Sequence, residues 1–225
     1  MNDFSDFLLD DPPKSEKASR DRVRHLTTLY EDLSLPSPPS LVDAIRSSDD
    51  TPLGIHFPDL YNLNELVEAL TNDSIAFILC EKISVDHNEL QGILRRSKKP
   101  VWFYMDKLNP VELIERRMQG FTGVLHSMSE GCDLATLQYR LEFGRDFDLE
   151  SGLMITHSQL ISQVQLLDCP LIHIPHEFTA SQLQELASTR VLMIHLDPDS
   201  NAAPMGGWQH KFGVLMNRHN FILGS

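Results

Sequence analysis

A chain of 225 residues is long enough for one large domain or two small ones, and 41% hydrophobic with 23% charged residues is the balance of a soluble globular protein. A formal net charge of −13 argues against a nucleic-acid partner, which calls for a basic face. No apolar run approaches the roughly 18 residues that would enter and cross a bilayer, and the acidic start MNDFSDFLLDD lacks the basic beginning of a secretory signal.

Residues 1–20 are polar and mostly without apolar periodicity, which predicts disorder. Within them DFSDFLLDD sets Phe4, Phe7, Leu8 and Leu9 among aspartates. That pattern reads either as a frayed end or as an acidic-aromatic peptide that folds on a partner. DRVRHLTTLYEDL (21–33) places Val23, Leu26, Leu29, Tyr30 and Leu33 at helical spacing. The rigid stretch SLPSPPS follows, and Ser40 is placed to cap a short helix over 41–47. The chain therefore divides into a disordered acidic segment (1–20), a helical extension with a proline linker (21–51), and a repeating region (52–225).

In that region apolar strand candidates fall at 53–57, 75–80, 101–105, 122–127, 152–157, 171–174 and 191–196. Amphipathic helices lie between them near 60–70, 87–96, 110–119, 132–145, 158–167 and 179–188, with Asn109-Pro110 and Thr179 where helices should start. Continuous apolar strands separated by helices mean a parallel sheet covered on both faces. With an eighth candidate at 212–216, the pattern predicts an α/β fold, a (β/α)8 TIM-type barrel; an open doubly wound sheet is the alternative. DPDSNAAPMGGW carries no helical stripe and little chain follows the eighth strand, so the barrel is expected to be trimmed at its seventh and eighth helices. The outer faces of 191–196 and 212–216 would then lack their usual cover and invite a protein partner or a second copy of the chain, with Trp208 and the 4–9 segment as further contacts; cover from within, by the 21–33 helix or the Trp208 loop, is the alternative. Cys80, Cys132 and Cys169 are odd in number and far apart, and read as reduced thiols of a cytoplasmic protein.

The repeating region resembles the indole-3-glycerol-phosphate synthase family. PPSLVDAIR resembles its pre-barrel segment, IAFILCEK and NELQGILRRSKKPV its second strand and the approach to its third, and GFTGVLHSM and DLESGLMITHSQLISQVQLLDCPLIHI its fourth to sixth strands. The resemblance implies a barrel of the same build, but the chemistry does not carry over. Tyr104 stands where the family has its general-acid lysine, and Ile155 where it has its general-base glutamate. His56 and Pro58 replace a strand-one glutamate and lysine. Pro175 and His176 stand in place of two substrate-binding asparagines, while His195 and Asp197 replace the strand-seven glutamate and a phosphate-binding glycine. General acid and base catalysis each contribute about 10²–10⁴ in rate, so these losses together predict a pseudoenzyme. With Phe103, Tyr104 and Met105 at the end of strand three, the mouth is expected to be filled rather than reactive.

Histidines are the exception. Alternation counted from the resembled family's inward positions implies that His56, His157, His173 and His195 face inward, with His173 a layer deeper. Converging imidazoles can hold a metal, which makes His56, His157 and His195 the alternative ligand set, but no aligned carboxylate accompanies them. A polar histidine plug without cofactor or metal is the first expectation. The functional expectation is a catalytically inactive barrel serving as an interaction or structural module, against an enzyme or ligand-binding protein with a rebuilt histidine pocket.

Overall fold

The computed structural model describes residues 13–217 except 49, 130, 175–177, 189 and 197–211. Eight strands, β1 (Leu53–Leu60), β2 (Ile75–Ile83), β3 (Val101–Met105), β4 (Gly123–Met128), β5 (Glu150–Ile155), β6 (Leu171–Ile174), β7 (Val191–Leu196) and β8 (Phe212–Asn217), pair in parallel and in sequence order. β1 also pairs with β8, from Leu53 against Val214 to His56 against Asn217, so the sheet closes on itself. Helices α1 (Pro13–Asp32) and α2 (Leu41–Ser47) precede it. Around it lie α3 (Leu63–Thr71), α4 (His87–Leu94), α5 (Pro110–Gln119), α6 (Leu134–Arg145), α7 (Ile161–Val164) and α8 (Ala180–Ala187). This is a (β/α)8 barrel; the open sheet is excluded by closure.

Local chemistry explains why the helices begin where they do. Asn62, Asp86, Asn109 and Asp133 each accept backbone N–H groups of the first turn of α3, α4, α5 and α6. Pro110 occupies the first turn of α5, where its missing N–H costs nothing. Thr179 and Gln182 form a reciprocal capping box on α8. The weakly started α7 has no side-chain cap and follows a 3₁₀ turn at Ser158–Leu160, so the expected 158–167 helix is short and broken.

The strands bury two kinds of face. Outward residues Ile55, Phe57, Ile78, Cys80, Val101, Phe103 and Met105 pack under α3–α5, and Leu153, Ile155, Ile172, Ile174, Leu192 and Ile194 pack under α6–α8. Inward residues Phe77, Leu79, Trp102, Leu125, Leu171, Met193 and Leu215 fill the barrel together with Leu41, Val42 and Ile45 of α2. The two large rings need space, and neighbouring strands give it: a Cβ on Gly54 would fall within the Phe77 ring, and one on Gly123 within that of Trp102.

α2 closes the N-terminal end of the barrel. Ser40 caps it, its Oγ 3.0 Å from Asp43 N. Glu150, at the start of β5, accepts from Leu41 N at 2.6 Å and from the Ser40 hydroxyl. A carboxylate at a helix N-terminus meets unpaired N–H groups and the positive end of the dipole. Burial nevertheless raises the Glu150 pKa, because these donors offset only part of the desolvation.

α1 begins at Pro13, eight residues before the predicted 21–33 helix, and so takes in 13–20 from the segment expected to be disordered. Val23, Leu26 and Tyr30 pack against the core under α5. Tyr30 stacks edge-on with Phe147 at 5.2 Å and donates to Asp148 Oδ2 at 2.7 Å. The outer face of β7 is covered, contrary to expectation: Leu192 and Ile194 are 0% and 4% exposed beneath Leu183, Leu186 and Ala187. A barrel strand shares its outer face between the helices before and after it, and α8 supplies the first of these. Phe4, Phe7, Leu8, Leu9, Trp208 and the expected trimming of the last two barrel helices lie outside the described residues.

Candidate functional site

The C-terminal ends of the strands form the mouth, where barrels of this class place their chemistry. Alternation along each strand assigns the inward residue: His56 on β1, Glu81 on β2, Tyr104 on β3, Ser127 on β4, Met154 on β5, His173 on β6 and His195 on β7. Six of these seven side chains are polar. Phe103 and Met105, expected to fill the mouth, point outward into the core under the helices.

The polar side chains form a connected arc. His56 Nε2 lies 3.4 Å from Glu81 Oε2, with the imidazole mostly buried and the carboxylate half-exposed. The His56 and His195 rings meet edge-on at 5.4 Å, and His195 meets His173 at 5.9 Å. His173 is 5% exposed, and neither ring nitrogen has a hydrogen-bond partner among the described residues. Burial, and then the neighbouring His195 and His56, push its pKa down to about 3, so the ring is neutral at ordinary pH. Across the mouth stand the half-buried Tyr104 of β3 and Ser127 of the adjoining β4. Burial raises the Tyr104 pKa, the Ser127 contact opposes this, and the charges of Asp106 and Glu81 add to the rise.

Several sequence expectations change here. Ile155, aligned by resemblance with a general base, faces outward at 0% exposure between Leu153 and Leu160. The inward residue is its neighbour Met154, which packs against the inner cluster. His157 shares the parity of Ile155, follows the end of β5, and is exposed. The ligand set His56, His157 and His195 is therefore not assembled, and among the described residues no group of three or more His, Cys, Asp or Glu is placed to hold a metal ion. His173, expected to lie too deep, is part of the arc. Pro58 sits exposed at the rim, while Pro175, His176 and Asp197 lie outside the described residues.

Two members of the mouth were absent from the sequence reading. Glu81 continues the inward alternation of Phe77 and Leu79, a signal hidden because β2 runs three residues beyond its apolar stretch. Ser127 stands two residues after Leu125 in the same way. His126 between them is the outward residue of β4, fully buried, with both ring nitrogens unpartnered among the described residues. Burial and the charge of Arg140 push its pKa down to about 3.

No protein-family model matches the chain, and no curated protein matches it. Solved structures do. Two structures of tryptophan synthase from M. tuberculosis align with TM-scores of 0.56 and 0.57, each at 13% identity; they cover 78% and 79% of this chain and 86% of theirs. A Burkholderia cenocepacia protein described as a lyase/mutase aligns with a TM-score of 0.50 at 9% identity, covering 87% of this chain and 81% of its own. The fold is a TIM-type barrel. At such identities the likeness extends to architecture alone, and it does not single out the indole-3-glycerol-phosphate synthases.

Proposed function

We propose that this barrel binds a small polar molecule at its mouth, and that it does not carry out the indole-3-glycerol-phosphate synthase reaction. The observation that supports a ligand is His173. An imidazole with one donor and one acceptor, buried and without a partner for either among the described residues, has a desolvation cost that a bound molecule would offset. Its neighbours extend that polarity toward solvent through His195, His56 and Glu81. The His56–Glu81 pair has the composition of a carboxylate-oriented base, and Tyr104 with Ser127 could donate from the opposite wall. Those groups permit acid–base work on the ligand. The lack of a lysine and a glutamate at the inward positions of β3 and β5 argues against the synthase.

The reading as a catalytically inactive interaction or structural module stays as the second proposal. Its motivation is the aromatic and apolar character of Phe4, Phe7, Leu8, Leu9 and Trp208. Exposed large apolar residues among the described ones are Leu29 in α1, Val67 in α3, and Tyr61 and Leu166 in the connections before α3 and after α7.

A ligand-observed NMR screen of small polar fragments against the full chain and against His195→Phe separates the two. The ligand reading expects hits lost in the variant. Fragments that bind both proteins equally, together with a stoichiometric protein partner in native pull-downs, would replace it with the interaction module.

A further inference from the structure

The sign of charge at the mouth narrows the ligand, given the reading of the mouth as a ligand site. Alternation along β2 puts Glu81 in the inward set and Lys82 in the outward set, and Asp106 follows directly on the end of β3, exposed at the same rim. The placement of the lysine agrees: Lys82 Nζ is held 2.9 Å from Asp59 Oδ2, also an outward residue. The charges of Glu81 and Asp106 are both felt by the inward Tyr104 phenol. Arg140 reaches this end of the barrel only from α6, where its guanidinium donates to the Asp106 carbonyl oxygen at 3.1 Å. Among the described residues the inward strand register thus carries a carboxylate, Glu81, and no lysine or arginine, and the charge of Asp106 adds to it from the rim. His173 cannot reverse it, because burial keeps that ring neutral and leaves it one acceptor and one donor to offer.

We propose that the mouth takes a small amine as its ammonium ion, the charge facing Glu81 and Asp106 and a second hydrogen-bonding group reaching the buried imidazole of His173. A phosphate ester, the ligand class of the resembled synthases, would instead face two carboxylates. Like charges at close range are costly in the low dielectric of a barrel mouth.

Ethanolamine, ethylene glycol and inorganic phosphate, titrated at matched ionic strength into the full chain, test this through the histidine ring C–H resonances in NMR. Ethanolamine should shift the resonances of His56, His173 and His195 saturably, at least tenfold more tightly than either other probe. Glu81→Gln, at a half-exposed position that does not threaten folding, should weaken ethanolamine binding about tenfold. Equal or tighter binding of phosphate or glycol to the same histidines would overturn the cation assignment and leave the mouth a ligand site. Resonances unmoved by all three probes would remove both.

Discussion

Two buried histidines give the protein a predictable response to acid. His126 and His173 stay neutral in the fold because burial disfavours the imidazolium, with pKa values pushed from 6.5 down to about 3. Above pH 6.5 neither the folded nor the unfolded state is protonated there, so stability does not depend on them. Below it the unfolded chain binds protons that the folded chain refuses, and stability falls until about pH 3, by about 1.4 kcal/mol per pH unit for each residue. His126→Leu should remove one of these terms without touching the mouth. In urea unfolding the variant should be near wild type at pH 7 and more stable by roughly 3 kcal/mol at pH 4.5. Equal losses in the two proteins between those pH values would show that His126 titrates normally in the fold.

At the level of elements, the facing of β5 decides which side chains can act. Ile155→Glu would place a carboxylate among Leu153, Leu160 and Ile172 and should cost more than about 4 kcal/mol or prevent folding. Met154→Glu, one residue away, points toward the half-polar mouth and should leave the chain folded, with a thermal midpoint within a few degrees of wild type. The opposite ranking in thermal melts would reverse the register assigned to β5. α2 depends on an equally local arrangement. Glu150→Ala removes the acceptor that meets Leu41 N and the Ser40 hydroxyl, and should destabilise by about 1–2 kcal/mol in denaturant unfolding. A neutral result would mean that apolar burial of Leu41, Val42 and Ile45 alone seats the helix.

For the molecule as a whole, the question is whether this barrel stands close to a synthase or only shares its frame. Tyr104→Lys with Met154→Glu places a lysine and a glutamate on the inward register of β3 and β5. No turnover of the indole-3-glycerol-phosphate precursor is expected from the folded double variant, since acid and base alone do not orient a substrate. Activity well above the uncatalysed rate would show that the rest of the mouth still fits that substrate. Identities of 9–13% to solved barrels of the same build show a shared frame and nothing of the chemistry at its mouth. Such a frame tolerates change because the layers that fold it, outward apolar residues under helices and inward Phe77 and Trp102, are separate from the rim that faces a ligand.

The sequence by itself determined the elements and their order. Apolar runs flanked by Asn109-Pro110, Asp86, Asp133 and Thr179 specify strands and helix starts through local hydrogen bonding, which needs no distant contact. Val101–Met105, Pro110–Gln119, Leu171–Ile174 and Val191–Leu196 appear with the bounds that periodicity predicts. Three things were decided only in three dimensions. Closure required β1 to meet β8, a pairing between residues some 160 positions apart that no local pattern records. Facing depended on register: a one-residue shift exchanges the two faces of a strand, and this moved Ile155 and His157 out of the mouth and left Met154 in it. The site itself needed both. Only closure of the barrel brings His56, near the start of the chain's repeating region, against His195 near its end, and only the side-chain parity of β2 and β6 turns Glu81 and His173 toward them.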